Sequence, residues 1–205
     1  MAKLYFRYGT MSSGKSIELL RVNFNYNEYG EKVICLTSAK DDRYGKGKIA
    51  SRIGIQAQAI SIDDGMNVYE LIYMFYLSAF QEGTKISCVL VDEAQFLTKK
   101  QVFHLADVVD ILDIPVICYG LRSDFLMEPF EGSKYLMIVA DNVEEIKTIC
   151  CNCRSQKALI NSRFKNGKLL TEGEQVQIGG NETYRPLCRK CYKKILNGAA
   201  SDSKK

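Results

Sequence analysis

No run of apolar residues in this 205-residue chain approaches the ~20 needed to span a bilayer, and the N-terminus lacks the charged-then-apolar layout of a leader. Both absences predict a cytoplasmic protein. A dominant charge is missing too: Lys+Arg 28 against Asp+Glu 24 leaves a net +4, and basic residues gather only at Arg189, Lys190, Lys193 and Lys194 and in the final Lys204-Lys205. With no basic track interleaved with aromatics, strand binding to nucleic acid has little support. There is one histidine, His104, set in a helical stretch, where it reads as a packing or surface residue rather than a catalyst. Internal repeats and low-complexity tracts are absent as well. The remaining 46% hydrophobic and 25% charged composition fits one good core with a small appendage.

What is present alternates. Residues 3–8 form a short apolar strand, residues 17–29 a helix stopped by Gly30, and residues 32–37 a second strand. Residues 38–54 are polar and without period, and read as a functional or mobile loop. A helix over 67–81 carries Leu71, Met74, Phe75 and Phe80, a stripe suited to core or subunit contact. Strand 86–91, amphipathic helix 99–112 and strand 115–120 follow. Strands alternating with helices predict an α/β fold with parallel pairing and ligands at the carboxyl ends of the strands. The character changes between Asp141 and Cys150, which divides the chain into an α/β domain (1–145), a small β domain (146–196) and a disordered tail (197–205). Cys35, Cys88 and Cys118 lie in strand-like runs and read as reduced, buried packing groups.

Three constellations carry chemistry. Gly9-Thr-Met-Ser-Ser-Gly-Lys-Ser16 follows the first strand and precedes the first helix, the layout of a phosphate-binding loop. Thr10, Met11, Ser12 and Ser13 lie between glycines 9 and 14, which let backbone N–H groups curl toward phosphate. Lys15 is placed to reach the β- and γ-phosphates of ATP, and the Ser16 hydroxyl to ligate Mg2+. Second, the strand ending at Val91 delivers Asp92 and Glu93 to its carboxyl end. Asp92 suits Mg2+; Glu93, projecting to the other side of an extended chain, suits either a general base for an attacking hydroxyl or a water-orienting role. Third, Cys150-x-x-Cys153 and Cys188-x-x-Cys191 supply four thiolates for a closed, structural tetrahedral Zn2+ site. Two disulfides are the competing pairing, disfavoured in a reducing compartment. Cys151 reads as a bystander. Lys40-Asp-Asp-Arg-Tyr44 is either a solvated loop or part of the substrate edge, and Phe96, Leu121, Phe125 and Phe130 either core or pocket.

Taken in order, the phosphate loop, Lys40-Asp-Asp-Arg-Tyr44, Asp92-Glu-Ala-Gln-Phe96, Gly120-Leu-Arg-Ser-Asp-Phe125, the cysteine pairs and Ile178-Gly-Gly-Asn-Glu-Thr-Tyr184 closely resemble the bacterial branch of the type II thymidine kinases. The resemblance implies transfer of the ATP γ-phosphoryl to the 5′-hydroxyl of thymidine or deoxyuridine, feedback inhibition by dTTP, a RecA-like domain, a zinc domain with a lasso loop, and a homotetramer. It assigns Glu93 as general base, Arg43 to the transferring phosphate and Asp41 to the sugar. It places Met11, Phe96, Leu121, Phe125 and Phe130 around thymine, Gln177, Ile178 and Gly179 on the lasso, and Tyr184 over the nucleoside. The chain departs from many relatives at Arg122 and Asp124, and at Ile160 and Gln177 near the base. A DNA-handling ATPase is the rival reading, since Asp92-Glu-Ala-Gln95 is similar to a helicase box, but one α/β domain and the scattered charge argue against it.

Overall fold

The computed structural model describes residues 1–41, 45–176 and 183–202. In chain order the larger part comprises β1 (Leu4–Tyr8), α1 (Lys15–Glu28), β2 (Lys32–Ser38), β3 (Lys48–Ala50), β4 (Gln56–Gln58), β5 (Ile60–Ile62) and α2 (Val68–Gln81). It continues through β6 (Ile86–Asp92), α3 (Lys99–Leu112), β7 (Val116–Gly120), α4 (Glu131–Val139) and β8 (Asn142–Glu145). The smaller part holds β9 (Ile160–Lys165), β10 (Lys168–Leu169), β11 (Tyr184–Leu187) and α5 (Arg189–Asp202).

Six strands form one parallel sheet in the order β5-β2-β6-β7-β1-β8. Central β6 is buried from Cys88 to Asp92, because helices cover both faces and every side chain of the strand meets a core. On one face α2, α3 and α4 close over Phe6, Leu36, Val89, Val91 and Val116. On the other, Leu19 and Leu20 of α1 pack on Cys35, Cys88, Leu90 and Tyr119. Burial pushes the Cys35 thiol up to about 11 and Cys88 to about 12, and raises Cys118 further, so all three stay protonated packing groups. The helix ends match local chemistry: Gly30 follows α1 at φ 71°, the Asn67 side chain accepts the Glu70 N–H at the start of α2, and Thr98 and Gln101 form a reciprocal capping box on α3.

Residues 38–54, whose composition predicts a functional or mobile loop, include a strand. There β3 pairs antiparallel with β4, and Ile49, buried at 1% exposure, packs against α1 beside Leu19 and Leu20. Strands of three residues with a single buried side chain leave no period to read. Edge strand β8, exposed at Asn142, Val143 and Glu144, lies where the sequence changes character and pairs with β1. The smaller part is a β10-β9-β11 antiparallel sheet whose Ile160, Phe164 and Leu187 pack with Tyr192 around Cys150, Cys188 and Cys191. Its α5 runs on through the positions after 197 that the sequence reads as a tail.

Candidate active site

The carboxyl ends of β1, β2, β6 and β7 converge, so the loops that leave them share one edge of the sheet. After β1, residues 9–16 curl into a phosphate-loop shape. Gly9 must be glycine: a Cβ there would lie 2.4 Å from Ser13 Oγ and 2.5 Å from the Ile146 carbonyl. Gly14 caps α1 at φ 88°. Lys15 Nζ donates to the carbonyls of Thr10 (2.9 Å) and Gly9 (3.3 Å), which keeps the ammonium over the loop. The hydroxyls of Thr10 and Ser13 are buried and have no hydrogen-bond partner among the described residues, leaving O–H donors for phosphate oxygens.

At the end of β6, Ser16 Oγ donates to Asp92 Oδ2 at 2.9 Å. The donor set suits Mg2+, pairing a hydroxyl with a carboxylate beside the phosphate loop. Asp92 is 5% exposed, and burial, reinforced by the neighbouring Glu93 charge, raises its pKa well above the usual carboxylate range. Glu93 is not extended, contrary to the strand alternation expected. It sits at φ 51°, ψ 36°, heading the short 3-10 turn of residues 94–96. This left-handed turn, rather than the pleat, separates its carboxylate from that of Asp92. The Glu93 N–H donates to Asp92 Oδ1 at 3.0 Å, and Gln95 Nε2 donates to Glu93 Oε2 at 2.5 Å.

Both carboxylates open into a cavity of about 280 Å³. Its walls include Met11, Ser12, Gly14, Lys15 and Ser16 at one end and Phe96, Leu121, Phe125, Phe130 and Tyr184 at the other, with Asp41 also on the lining. Phe96 and Phe130 meet edge to face, centroids 5.7 Å apart at 81°. The cavity thus pairs an end suited to phosphate with an aromatic end suited to a planar base. Asp124, 3% exposed, uses Oδ1 to accept the N–H groups of Leu126 (2.8 Å) and Glu128 (2.9 Å), fixing the turn that presents Phe125. Arg122 instead points its guanidinium over the Tyr8 ring, 5.8 Å from the centroid. His104 lies on α3 away from this lining.

In the smaller part, the ligand atoms of Cys150, Cys153, Cys188 and Cys191 all lie within 4.8 Å of one another, and all eight cysteines of the chain are free thiols. Cys153 Sγ and Cys188 Sγ are 3.9 Å apart. That is far beyond a disulfide bond and close to the ~3.8 Å edge of a tetrahedron with ~2.3 Å metal–sulfur bonds. Hydrogen bonds from Ser155 and the Gln156 N–H hold the Cys153 thiol down to about 6, favouring the thiolate that a metal requires. The four could hold a structural metal ion and fit zinc. Cys151 lies outside the cluster, its N–H donating to the Pro186 carbonyl at 3.0 Å.

The family model for thymidine kinase matches residues 2–192. The chain belongs to the thymidine kinase family. Thymidine kinase of Lactococcus lactis is 54% identical over 192 residues, which cover 94% of this chain and 97% of that protein. Thymidine kinase of Lactiplantibacillus plantarum is 53% identical (94% and 96% covered), and that of Streptococcus pyogenes 51% (94% and 97%). The resemblance to the bacterial type II branch therefore holds along almost the whole length.

Of the residues that family resemblance points to, Arg43, Gln177, Ile178 and Gly179 lie outside the described residues. Ile160 does not line the cavity. It packs at 5% exposure in the core around Cys150 and Cys188, while its neighbour Asn161 lines the cavity, because successive strand residues take opposite faces. Gln95 lies inside the motif Asp92-Glu-Ala-Gln-Phe96, which gave it no role of its own, and Asn161 and Arg163 lie in no motif at all. Gln95 joins Glu93 to the exit of β7, its Oε1 accepting the Leu121 N–H at 3.0 Å. Asn161 reaches the phosphate loop, accepting the Met11 N–H at 2.8 Å. Buried Arg163 donates to the Tyr184 hydroxyl and to the carbonyls of Glu174 (2.8 Å) and Gln175 (3.2 Å), and stacks 3.8 Å from the Phe125 centroid. Polar residues buried by tertiary contact carry no periodic signal, so only the fold exposes them.

Proposed function

We propose that the chain is a thymidine kinase that transfers the γ-phosphoryl of ATP to the 5′-hydroxyl of thymidine or deoxyuridine in nucleoside salvage. One observation carries this reading: a single cavity joins the phosphate loop, with Lys15 and Ser16, to the aromatic end of Phe96, Leu121, Phe125 and Phe130, and Glu93 lies on its wall between them. The triphosphate occupies residues 9–16, where loop N–H groups and Lys15 balance its charge. Thymine takes the aromatic end, bounded by Met11 and Tyr184, with Asp41 toward the sugar. Glu93 accepts the proton of the 5′-hydroxyl as its oxygen attacks the γ-phosphorus, and ADP leaves along the phosphate loop. Arg43 is assigned by family likeness to the charge that spreads over the transferring group, and Gln177, Ile178 and Gly179 by the same likeness to the cover over the nucleoside. Ser16 and Asp92 would hold Mg2+, which when bound would offset the negative charge of the phosphates.

The zinc assignment at Cys150, Cys153, Cys188 and Cys191 makes the small part a clasp for the segment that closes on the nucleoside, excluding water and so preventing idle ATP hydrolysis. The same geometry supports feedback by dTTP, since one molecule carrying thymidine and a triphosphate would engage both ends of the cavity. A cytoplasmic homotetramer completes the reading, and the exposed apolar side chains of α2, among them Met74 and Phe80, suit self-association. Incubating the protein and Mg2+ with γ-labelled ATP and a panel of nucleosides tests the function. Labelled thymidine monophosphate is the expected product. Release of labelled inorganic phosphate without any nucleotide product overturns the reading.

A further inference from the structure

Asn161 stands on β9, the middle strand of the small sheet, yet its side chain leaves that sheet for two distant elements. Oδ1 accepts the Met11 N–H at 2.8 Å, 150 residues away, and Nδ2 donates to the Ser123 carbonyl at 3.3 Å. The two partners fix which way the amide points, because a backbone N–H can only donate and a carbonyl only accept. The side chain is buried, at 4% exposure, and lines the same cavity as Lys15 and Phe125. Each end matters. Met11 belongs to the loop that cradles phosphate, and Ser123 to the segment carrying Leu121, Asp124 and Phe125 at the aromatic end.

Resting on the kinase reading above, the geometry points to Asn161 as a positioning residue that couples nucleoside binding to phosphate binding. A nucleoside that orders the 121–125 segment fixes the Ser123 carbonyl, which holds the Asn161 amide, which in turn sets the path of the phosphate loop at Met11. A triphosphate that orders the loop acts back along the same strut, as linkage between two binding sites requires. Met11 is well chosen for this. It precedes Gly14, Lys15 and Ser16, so its N–H is engaged by Asn161 without taking the donors closest to α1 away from phosphate.

The test is calorimetric titration of the full chain with AMP-PNP and Mg2+, in the presence and absence of saturating thymidine. The wild type is expected to bind AMP-PNP at least about fivefold more tightly with thymidine present. In Asn161→Leu, which removes both hydrogen bonds, that ratio is expected to fall to within about twofold of one. Asn161→Asp is the second variant: it keeps the size and the acceptor toward Met11 but turns an oxygen against the Ser123 carbonyl, and the ratio is expected to fall there too. A side chain that only supported the fold would lower stability or both affinities and leave the ratio alone. A folded variant that keeps the wild-type ratio, or a wild type that binds both ligands with a ratio of one, overturns the coupling. A wild type that binds AMP-PNP but no thymidine overturns the kinase reading itself, and the coupling with it.

Discussion

Glu93 holds a backbone conformation that costs a non-glycine residue on the order of 1–2 kcal/mol, and it does so at the wall of the cavity. Two contacts maintain it, the Asp92 carboxylate on its N–H and Gln95 on its carboxylate. Glu93→Gln preserves shape and an acceptor for Gln95 while removing basicity. Turnover is expected to fall at least ~100-fold with AMP-PNP affinity within about twofold of wild type; unchanged turnover removes Glu93 as the base. The thiols of Cys35 and Cys88 yield a different residue-level prediction. Unfolded, each ionises near 9; folded, they are pushed up to about 11 and about 12. Above pH 9 the unfolded chain therefore binds fewer protons than the folded one. Stability, fully present below that pH, is lost with a limiting slope of about 1.4 kcal/mol per pH unit for each thiol, until the folded thiols titrate. Denaturant melts from pH 8 to 11 check this, and Cys35→Ala with Cys88→Ala is expected to flatten the slope.

Helix α4 illustrates what an element needs beyond its own sequence. Its Gly132 presses on the turn that follows Glu93: an added Cβ would lie 2.3 Å from the Ala94 carbonyl oxygen and 2.9 Å from that of Leu97. In an open helix, alanine would stabilise by roughly 0.5–1 kcal/mol. Here backbone atoms cannot yield, so Gly132→Ala is expected to destabilise by about 1–3 kcal/mol, lowering Tm by several degrees, and to lower kcat by shifting Glu93 and Gln95. A higher Tm would mean that the approach is looser than described. No sequence pattern announces such a contact, and at nine residues α4 is too short for a convincing helical period. By contrast β6, α3 and the loop at residues 9–16 were legible, because a buried strand, a capped amphipathic helix and a phosphate loop each encode their geometry locally. Glu93 and Asp92 were legible as a pair but not in conformation, since the left-handed turn between strand and 3-10 segment packs, through Gln95, on Gly120 of β7, which comes from elsewhere in the fold. A Cβ on Gly120 would sit 2.9 Å from Gln95 Oε1.

At the scale of the whole molecule, strand β9 ties the cysteine cluster to the active site. Ile160 packs beside Cys150 and Cys188, Asn161 turns into the cavity, and Arg163 holds Tyr184, Phe125 and the carbonyls of residues 174 and 175. One short strand therefore touches the cysteine cluster, the phosphate loop and the aromatic end in four residues. Loss of the metal should be felt at the site rather than only as a lower melting point. An ion shared by four sulfurs within 4.8 Å of one another would tie residues 150–153 to residues 188–191, so its removal frees the two pairs and loosens the core that fixes β9. With a strong chelator, or in Cys188→Ser, Tm is expected to fall by several degrees and the thymidine KM to rise at least about tenfold. Zinc should restore both in the chelated wild type but not in Cys188→Ser. Elemental analysis of the purified protein should find one zinc per chain. A metal-free protein with unchanged Tm and KM would show that the cysteines hold nothing the site depends on.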